Sequence, residues 1–150
     1  MTEGESRRPG LLDVNVLIAL AWPNHVHHTA AHRWFARAHS VGWATTPVTE
    51  SGFVRVSSNR AAIATATSPG QAIQLLSAMT ALDGHSFWSD DVATVTGELG
   101  DPALITSHRD VTDAHLLALA QRHGGTLVTF DSRIERLLGS RDPELLSVQT

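Results

Sequence analysis

Apolar residues fall in short runs along this chain, and the spacing inside each run separates strand from helix. Eight of the ten residues of LLDVNVLIAL, residues 11–20, are aliphatic. Residues 11–14 read as a short buried strand, and NVLIALAW continues as a helix. HVHHTAAHRWFARAHS, residues 25–40, predicts a second helix with Val26, Ala30, Trp34 and Ala38 down one side. Trp43 to Thr46 reads as the next strand. Thr46 and Pro47 then supply an N-cap and a first helical position, opening a helix through Arg55. Ser68-Pro69 begins another, carrying Ile73, Leu76 and Met79. HSFW, residues 85–88, is a third strand, while Gly97, Gly100 and Pro102 interrupt any long element between residues 89 and 108. DVTDAHLLALAQRHGG predicts a helix that Gly124 stops. TLVTF, residues 126–130, follows as a buried strand, SRIERLL as a short helix and LLSVQ as a last strand. Strands alternating with helices imply an α/β fold, its mostly parallel sheet covered on both faces.

The informative positions are those that break the pattern. Asp13 and Asn15 interrupt the first apolar run. An unpaired carboxylate taken out of water costs several kcal/mol or must neutralise, so something has to compensate. Asp131 repeats the arrangement, since TLVTFD is an apolar strand ending on an acid. Ligand sites in open parallel sheets form outside the carboxyl ends of strands, where two such acids converge. The alternative is that each caps the helix that follows. For Asp131, Ser132 and Glu135 have the spacing of a capping box and offer another cap.

Glu50 is followed at three and four residues by Phe53 and Val54, and Asp113 at the same offsets by Leu116 and Leu117. Those offsets share a helical face, which places both acids on the inward stripe. The plainer readings are an edge charge for Glu50 and, for Asp113, a helix-dipole partner in the first turn or a cap shared with Asp110. Four acids facing one cleft would repel one another. A hard divalent cation, Mg2+ or Mn2+, relieves that repulsion and activates water for phosphodiester cleavage. Asn15 then either hydrogen-bonds a ligand carboxylate or a metal-bound water, or caps the helix.

Composition narrows the setting. At 150 residues and 42% hydrophobic, residues 11–150 are expected to form one domain, with MTEGESRRPG, residues 1–10, as a flexible lead-in. That lead-in has no secretory apolar segment, and the longest apolar stretch falls short of the ~20 residues that span a bilayer. With no cysteine there is neither a disulfide framework nor a thiolate metal site. These features fit a cytoplasmic protein without membrane attachment. The net charge of −4 gives no globally basic surface, although four acids set aside on a metal leave 11 acidic residues against 11 basic ones. Every basic residue is arginine. Arginine suits phosphate oxygens, but a coding bias produces the same excess.

LLDVNVLIAL, TPVTESGFVRV, VTDAHLLALA and VTFDSRI resemble, in order and spacing, the motifs of PIN-domain ribonucleases, above all the VapC-type toxins of toxin–antitoxin pairs. The resemblance runs from about Leu11 to the C-terminus. It implies a three-layer α/β/α sandwich with an acidic Mg2+ site in which Mn2+ substitutes. Asp13, Glu50, Asp113 and Asp131 match the family's catalytic, metal-holding quartet, and Asn15 and Thr129 match polar positions beside it. It further implies an endoribonuclease acting on cellular RNA such as tRNA or rRNA, a homodimer, and a VapB-type antitoxin that blocks the site. Two departures stand out. Residues 1–10 precede the usual start, and Asp110 either adds a fifth acid or caps its helix.

Other signals carry less. His28 and His32 have the spacing of a helical metal pair, but no third ligand can be named, and solvated histidines account for them better. The four tryptophans sit beside apolar residues and read as packing rather than base stacking. Arg55, five residues after Glu50, is placed to meet a phosphate at the cleft mouth, or else is simply exposed. A phosphatase or P-loop enzyme is disfavoured by the missing lysine and the missing glycine-rich loop. A DNA nuclease shares the metal chemistry, and an RNA-binding module without cleavage shares the fold; the preference for RNA rests on the resemblance.

Overall fold

The computed structural model describes residues 7–150. Five strands form the sheet: β1 (Gly10–Leu12), β2 (Trp43–Thr45), β3 (His85–Phe87), β4 (Thr126–Thr129) and β5 (Leu146–Val148). All pair in parallel, in the order β3-β2-β1-β4-β5. Around them stand α1 (Val14–Ala21), α2 (His28–Ala38), α3 (Pro47–Ser57), α4 (Pro69–Thr80) and α5 (His108–Arg122).

The order follows from the chain's path. β1 passes outward to β2 and β3 on one side, and the chain then returns to lay β4 on the other side of β1. A crevice opens where the direction reverses, at the carboxyl ends of β1 and β4, which is where doubly wound sheets hold ligands. Asp13 lies one residue past β1 and Asp131 two past β4.

Alternation along each short strand divides the core in two. Leu11, Ala44 and Leu127 face one way, with Leu116, Leu117 and Ile134. Leu12, Trp43 and Val128 face the other way, with Val16, Leu17 and Phe53. Both faces of the sheet are therefore covered, as the apolar runs require. α3 approaches α1 at Gly52, where an added methyl group would stand 2.6 Å from Val14 Cγ2. A helical glycine costs about 1 kcal/mol relative to alanine; here it permits the close contact that sets α3, and with it Glu50, against the sheet.

The expected helix starts hold at two places. Pro47 opens α3, and the Thr46 N–H donates to the Thr49 hydroxyl at 3.1 Å. Ser68 and Gln71 exchange side-chain and backbone bonds at the start of α4. Gly124, at φ +66°, ends α5 as expected.

Elsewhere the boundaries move. α2 begins at His28 rather than residue 25, because His25 Nδ1 accepts the His27 N–H in a turn that precedes the helix. Val26 is consequently 85% exposed, and the buried residues of α2 are Ala31 and Trp34. On α4 the buried residues are Ala72 and Leu76, while Ile73 is 57% exposed. α5 starts two residues early, capped by Ser107. SRIERLL is a 3-10 helix, Ser132–Leu138, and its cap is Asp131 rather than a Ser132–Glu135 box. Residues 1–6 of the expected lead-in lie outside the described residues. Within its remainder, Arg8 pairs with Asp142 at 2.6 Å and Gly10 belongs to β1. No helix among the described residues is long and apolar enough to cross a membrane.

Candidate active site

The crevice at the ends of β1 and β4 is knitted by one hydroxyl. Thr129 Oγ1 donates to Asp13 Oδ2 at 2.8 Å and accepts from Asn15 Nδ2 and from the Asp131 N–H, both at 3.1 Å. One proton and two lone pairs are all a hydroxyl has, and all are used. Asn15 also accepts the Phe130 N–H at 3.2 Å. It therefore ties the end of β4 to the start of α1, while the cap of α1 is Asp13, whose Oδ1 accepts the Val14 N–H at 2.7 Å. Burial pushes the Asp13 carboxyl up. The Thr129 and Val14 bonds oppose that rise and the neighbouring Asp131 charge adds to it.

Asp131 takes the Arg133 backbone N–H on Oδ1 at 3.0 Å, and the Arg133 guanidinium grips both carboxylate oxygens. That grip holds the Asp131 carboxyl below the usual range. Asp131 is thus both a cap and a group at the crevice, so the two readings of this residue coexist.

Asp113 reaches the same crevice from α5. It has no hydrogen bond or ion pair among the described residues. Its carboxyl is pushed up to about 6, first by desolvation, then by the charges of Asp13, Asp131 and Asp110, with Arg133 opposing. Asp110 is a different case, buried at 5% exposure and fully occupied. It accepts the Thr106 and Ser107 N–H groups at 3.0 and 3.1 Å and pairs with Arg136. Burial works to raise its carboxyl, and these bonds more than offset it, leaving it lowered. Asp110 caps α5, and its charge adds to the field on Asp113.

Asp13, Asp113 and Asp131 therefore act electrostatically on one another, whereas Glu50 stands apart. Its Oε2 accepts the Thr45 hydroxyl at 2.6 Å. Having donated its proton there, Thr45 Oγ1 accepts from His85 Nε2 at 2.7 Å, which makes that ring nitrogen the donor. Glu50 lines a separate groove together with Arg55 and Phe87. A hollow of about 330 Å³ beside the other acids is bordered by Asp113, Asp131, Arg109, Arg133 and Arg136. Carboxylates within a rim of guanidinium groups suit a phosphate whose charge is shared with a cation.

No group of three His, Asp or Glu side chains among the described residues closes on a single ion. The donor chemistry nevertheless fits a hard cation. Every candidate donor is an oxygen, Asp113 is unpartnered, and Mg2+ keeps several waters while using one or two carboxylates. His28 and His32 form no metal pair; Nδ1 of one and Nε2 of the other bond the Ala19 and Leu20 carbonyls at the end of α1. Sequence reasoning missed Arg133, Arg136, Thr45 and His85. Only Arg133 carried a local signal, a guanidinium two residues from a strand-end acid.

Residues 10–138 match the family model of the PIN domain. Ribonuclease VapC39 of Mycobacterium tuberculosis is 60% identical over 124 residues, covering 83% of this chain and 89% of that protein. Ribonuclease VapC38 of the same organism is 47% identical over 141 residues, 92% and 98% of the two chains. Ribonuclease VapC44, also from that organism, is 43% identical over 124 residues, 83% and 87%.

Proposed function

The chain belongs to the PIN-domain family, among its VapC-type ribonucleases, and from that premise we propose that it is a metal-dependent endoribonuclease, the toxin of a type II toxin–antitoxin pair. The observation that carries this reading is Asp113: an unpartnered, half-buried carboxylate under the charges of Asp13 and Asp131 in the crevice at the carboxyl ends of β1 and β4. Such a group invites a divalent cation, and Mg2+ is the expected one, with Mn2+ substituting.

Asp13, Asp113 and Asp131 would hold the ion; Glu50, the fourth acid of the expected quartet, lies outside that cluster and would reach it only from the side of β2. Bound there, Mg2+ supplies a more acidic water and polarises a phosphoryl oxygen. The chain's own groups do the rest. Thr129 and Asn15 fix the Asp13 carboxylate, leaving it little freedom to reorganise during reaction. Arg109, Arg133 and Arg136 stand around the hollow, where guanidinium groups hold a phosphodiester and balance the charge that builds as it is cleaved. Hydrolysis breaks one P–O bond and adds one water.

The substrate in this reading is structured cellular RNA, tRNA or rRNA. The protein works in the cytoplasm as a homodimer, held inactive by a VapB-type antitoxin. The names of the relatives as ribonucleases favour RNA over DNA. The test is incubation of the purified protein with total RNA, with Mg2+ or with EDTA, followed by mapping of the new ends. Discrete cuts that need Mg2+ and vanish in Asp113→Asn are expected. Cuts that persist in EDTA, or in Asp113→Asn, overturn the metal site. Cleavage of DNA at the same rate overturns the substrate.

A further inference from the structure

The recess between α3 and α4 is not used by the hollow that holds Asp113 and Asp131. It measures about 690 Å³, and Val54 and Leu76 form its apolar floor. Two features of it bear on what it would hold. Phe87, the last residue of β3, is 56% exposed and turns its ring into this groove together with the exposed Ile73. Arg55 borders the same groove and is exposed, and its guanidinium makes no hydrogen bond or ion pair among the described residues. Glu50 closes one end, its carboxylate already engaged by Thr45.

An exposed aromatic face and an unpaired guanidinium over an apolar floor are what a single-stranded nucleic acid uses, a base stacking on the ring and a phosphate on the cation. A purely apolar helix would leave Arg55 covered without a counterion, at a desolvation cost. A nucleotide brings that counterion with it. Position agrees. β3 lies two strands from β1, about 10 Å along the carboxyl edge of the sheet. Glu50 borders the groove on the same carboxyl edge of the sheet that carries Asp13 and Asp131.

We propose that the α3–α4 groove is a nucleobase subsite, in which an unpaired base of the RNA stacks on Phe87 while Arg55 holds the adjoining phosphate. This rests on the ribonuclease reading and adds to it the class of substrate feature recognised: an unstacked base flanking the cut, consistent with the way proteins read loops rather than duplexes.

The test is binding of a fluorescein-labelled oligouridylate in EDTA, compared with the same strand carrying one abasic position. Wild type should prefer the intact strand. Phe87→Ala should weaken binding about tenfold and abolish that preference, and Phe87→Trp should restore both. Arg55→Gln should weaken both strands equally and flatten the salt dependence by about one ion. Because Phe87 and Arg55 are exposed, the melting temperatures should stay at the wild-type value, and a fall would mean that the groove is structural and overturn the proposal. Wild-type affinity in both variants overturns it as well. So does a change in oligomeric state on Phe87→Ala without loss of RNA, which makes the groove an interface between copies. So does a groove that takes an amphipathic peptide and no RNA. If wild type cuts RNA but neither strand engages Phe87, the subsite fails and the nuclease reading survives. If wild type cuts no RNA while the Phe87-dependent preference holds, the reverse is true.

Discussion

Arg133 lies back over Asp131, its Nε 2.9 Å from Oδ1 and its Nη2 2.8 Å from Oδ2, so that a guanidinium occupies both oxygens of a carboxylate that faces two other acids. The same side chain opposes the rise of the Asp113 carboxyl. In the metal-free protein, Arg133 is the counterion of the acid cluster. At 70% side-chain exposure the pair is held weakly, so it can be displaced.

Arg133→Ala should therefore bind Mg2+ more tightly than wild type, by about two- to fivefold, the small effect expected of an exposed ion pair. Cleavage of RNA should fall at the same time, since a phosphate partner is lost. Calorimetric titration of Mg2+ into the two proteins reads the first effect without reference to activity. Weaker Mg2+ binding in the variant would mean that Arg133 supports the ion rather than competes with it.

Asp113 should make the metal-free protein less stable as pH rises. Its folded carboxyl is pushed up to about 6, above the ordinary aspartate value of 3.8, so between those values the folded state holds a proton that the unfolded state has released. Stability then falls from about pH 4 to about pH 6, and the penalty is complete above that. Allowing for solvent screening of a half-exposed group, it is about 1 kcal/mol, or about 2–4 °C of Tm. The lowered carboxyls of Asp110 and Asp131 act in the opposite sense, so the comparison must be differential. Asp113→Asn should melt higher than wild type at pH 7.5, equally at pH 4, and lose the stabilisation that Mg2+ gives wild type. Equal melting at both values would remove the electrostatic case for a cation.

Asp110→Ala separates a cap from a fifth ligand. With two backbone N–H groups and Arg136 left without their acceptor, Tm should drop by about 3–6 °C. Mg2+ affinity should stay within about twofold of wild type, because Asp110 is committed to two backbone N–H groups and to Arg136 and acts on the crevice only through its charge. A large loss of Mg2+ affinity at unchanged Tm would reverse the assignment.

The strands and the crevice were legible because they depend on short-range patterning. A run such as TLVTF that stops at Asp131 marks both a buried strand and the edge at which it emerges, and LLDV at Asp13 does the same. Pairing the two needs only the rule for doubly wound sheets. What failed was the reading of helix faces, once because an end was misplaced and once although the helix starts where expected. Val26 falls off its helix because a histidine turn intervenes, and Ile73 faces a groove rather than the core. Glu50 illustrates the harder limit. Its offset to Phe53 and Val54 correctly placed it at the inner side of α3, but its hydrogen bond to Thr45, and through it to His85, depends on the pairing of β2 with β3. No local spacing encodes such a pairing. SRIERLL is the short helix expected, but its 3-10 form and the Asp131–Arg133 grip at its start are not written in its spacing.

Thr129 offers the sharpest test of how the crevice is built. Thr129→Val keeps the shape and removes a hydroxyl that serves three partners at once. Asp13 would remain buried with the Thr129 bond gone, so its carboxyl, already raised by burial, should rise further. A hydrogen bond to a charged group contributes about 2 kcal/mol, and the loss should appear as lower stability at neutral pH that narrows as the solution is acidified and Asp13 takes up a proton. A cavity or packing defect would cost the same at every pH. The acid limb of the RNA-cleavage profile should move upward with the Asp13 carboxyl, and Thr129→Ser, which restores the donor without the methyl group, should return that limb to its wild-type position even where stability is only partly recovered. An acid limb unmoved by Thr129→Val, with activity falling only in step with the folded fraction, would show that Asp13 is held for the fold and takes no part in the chemistry.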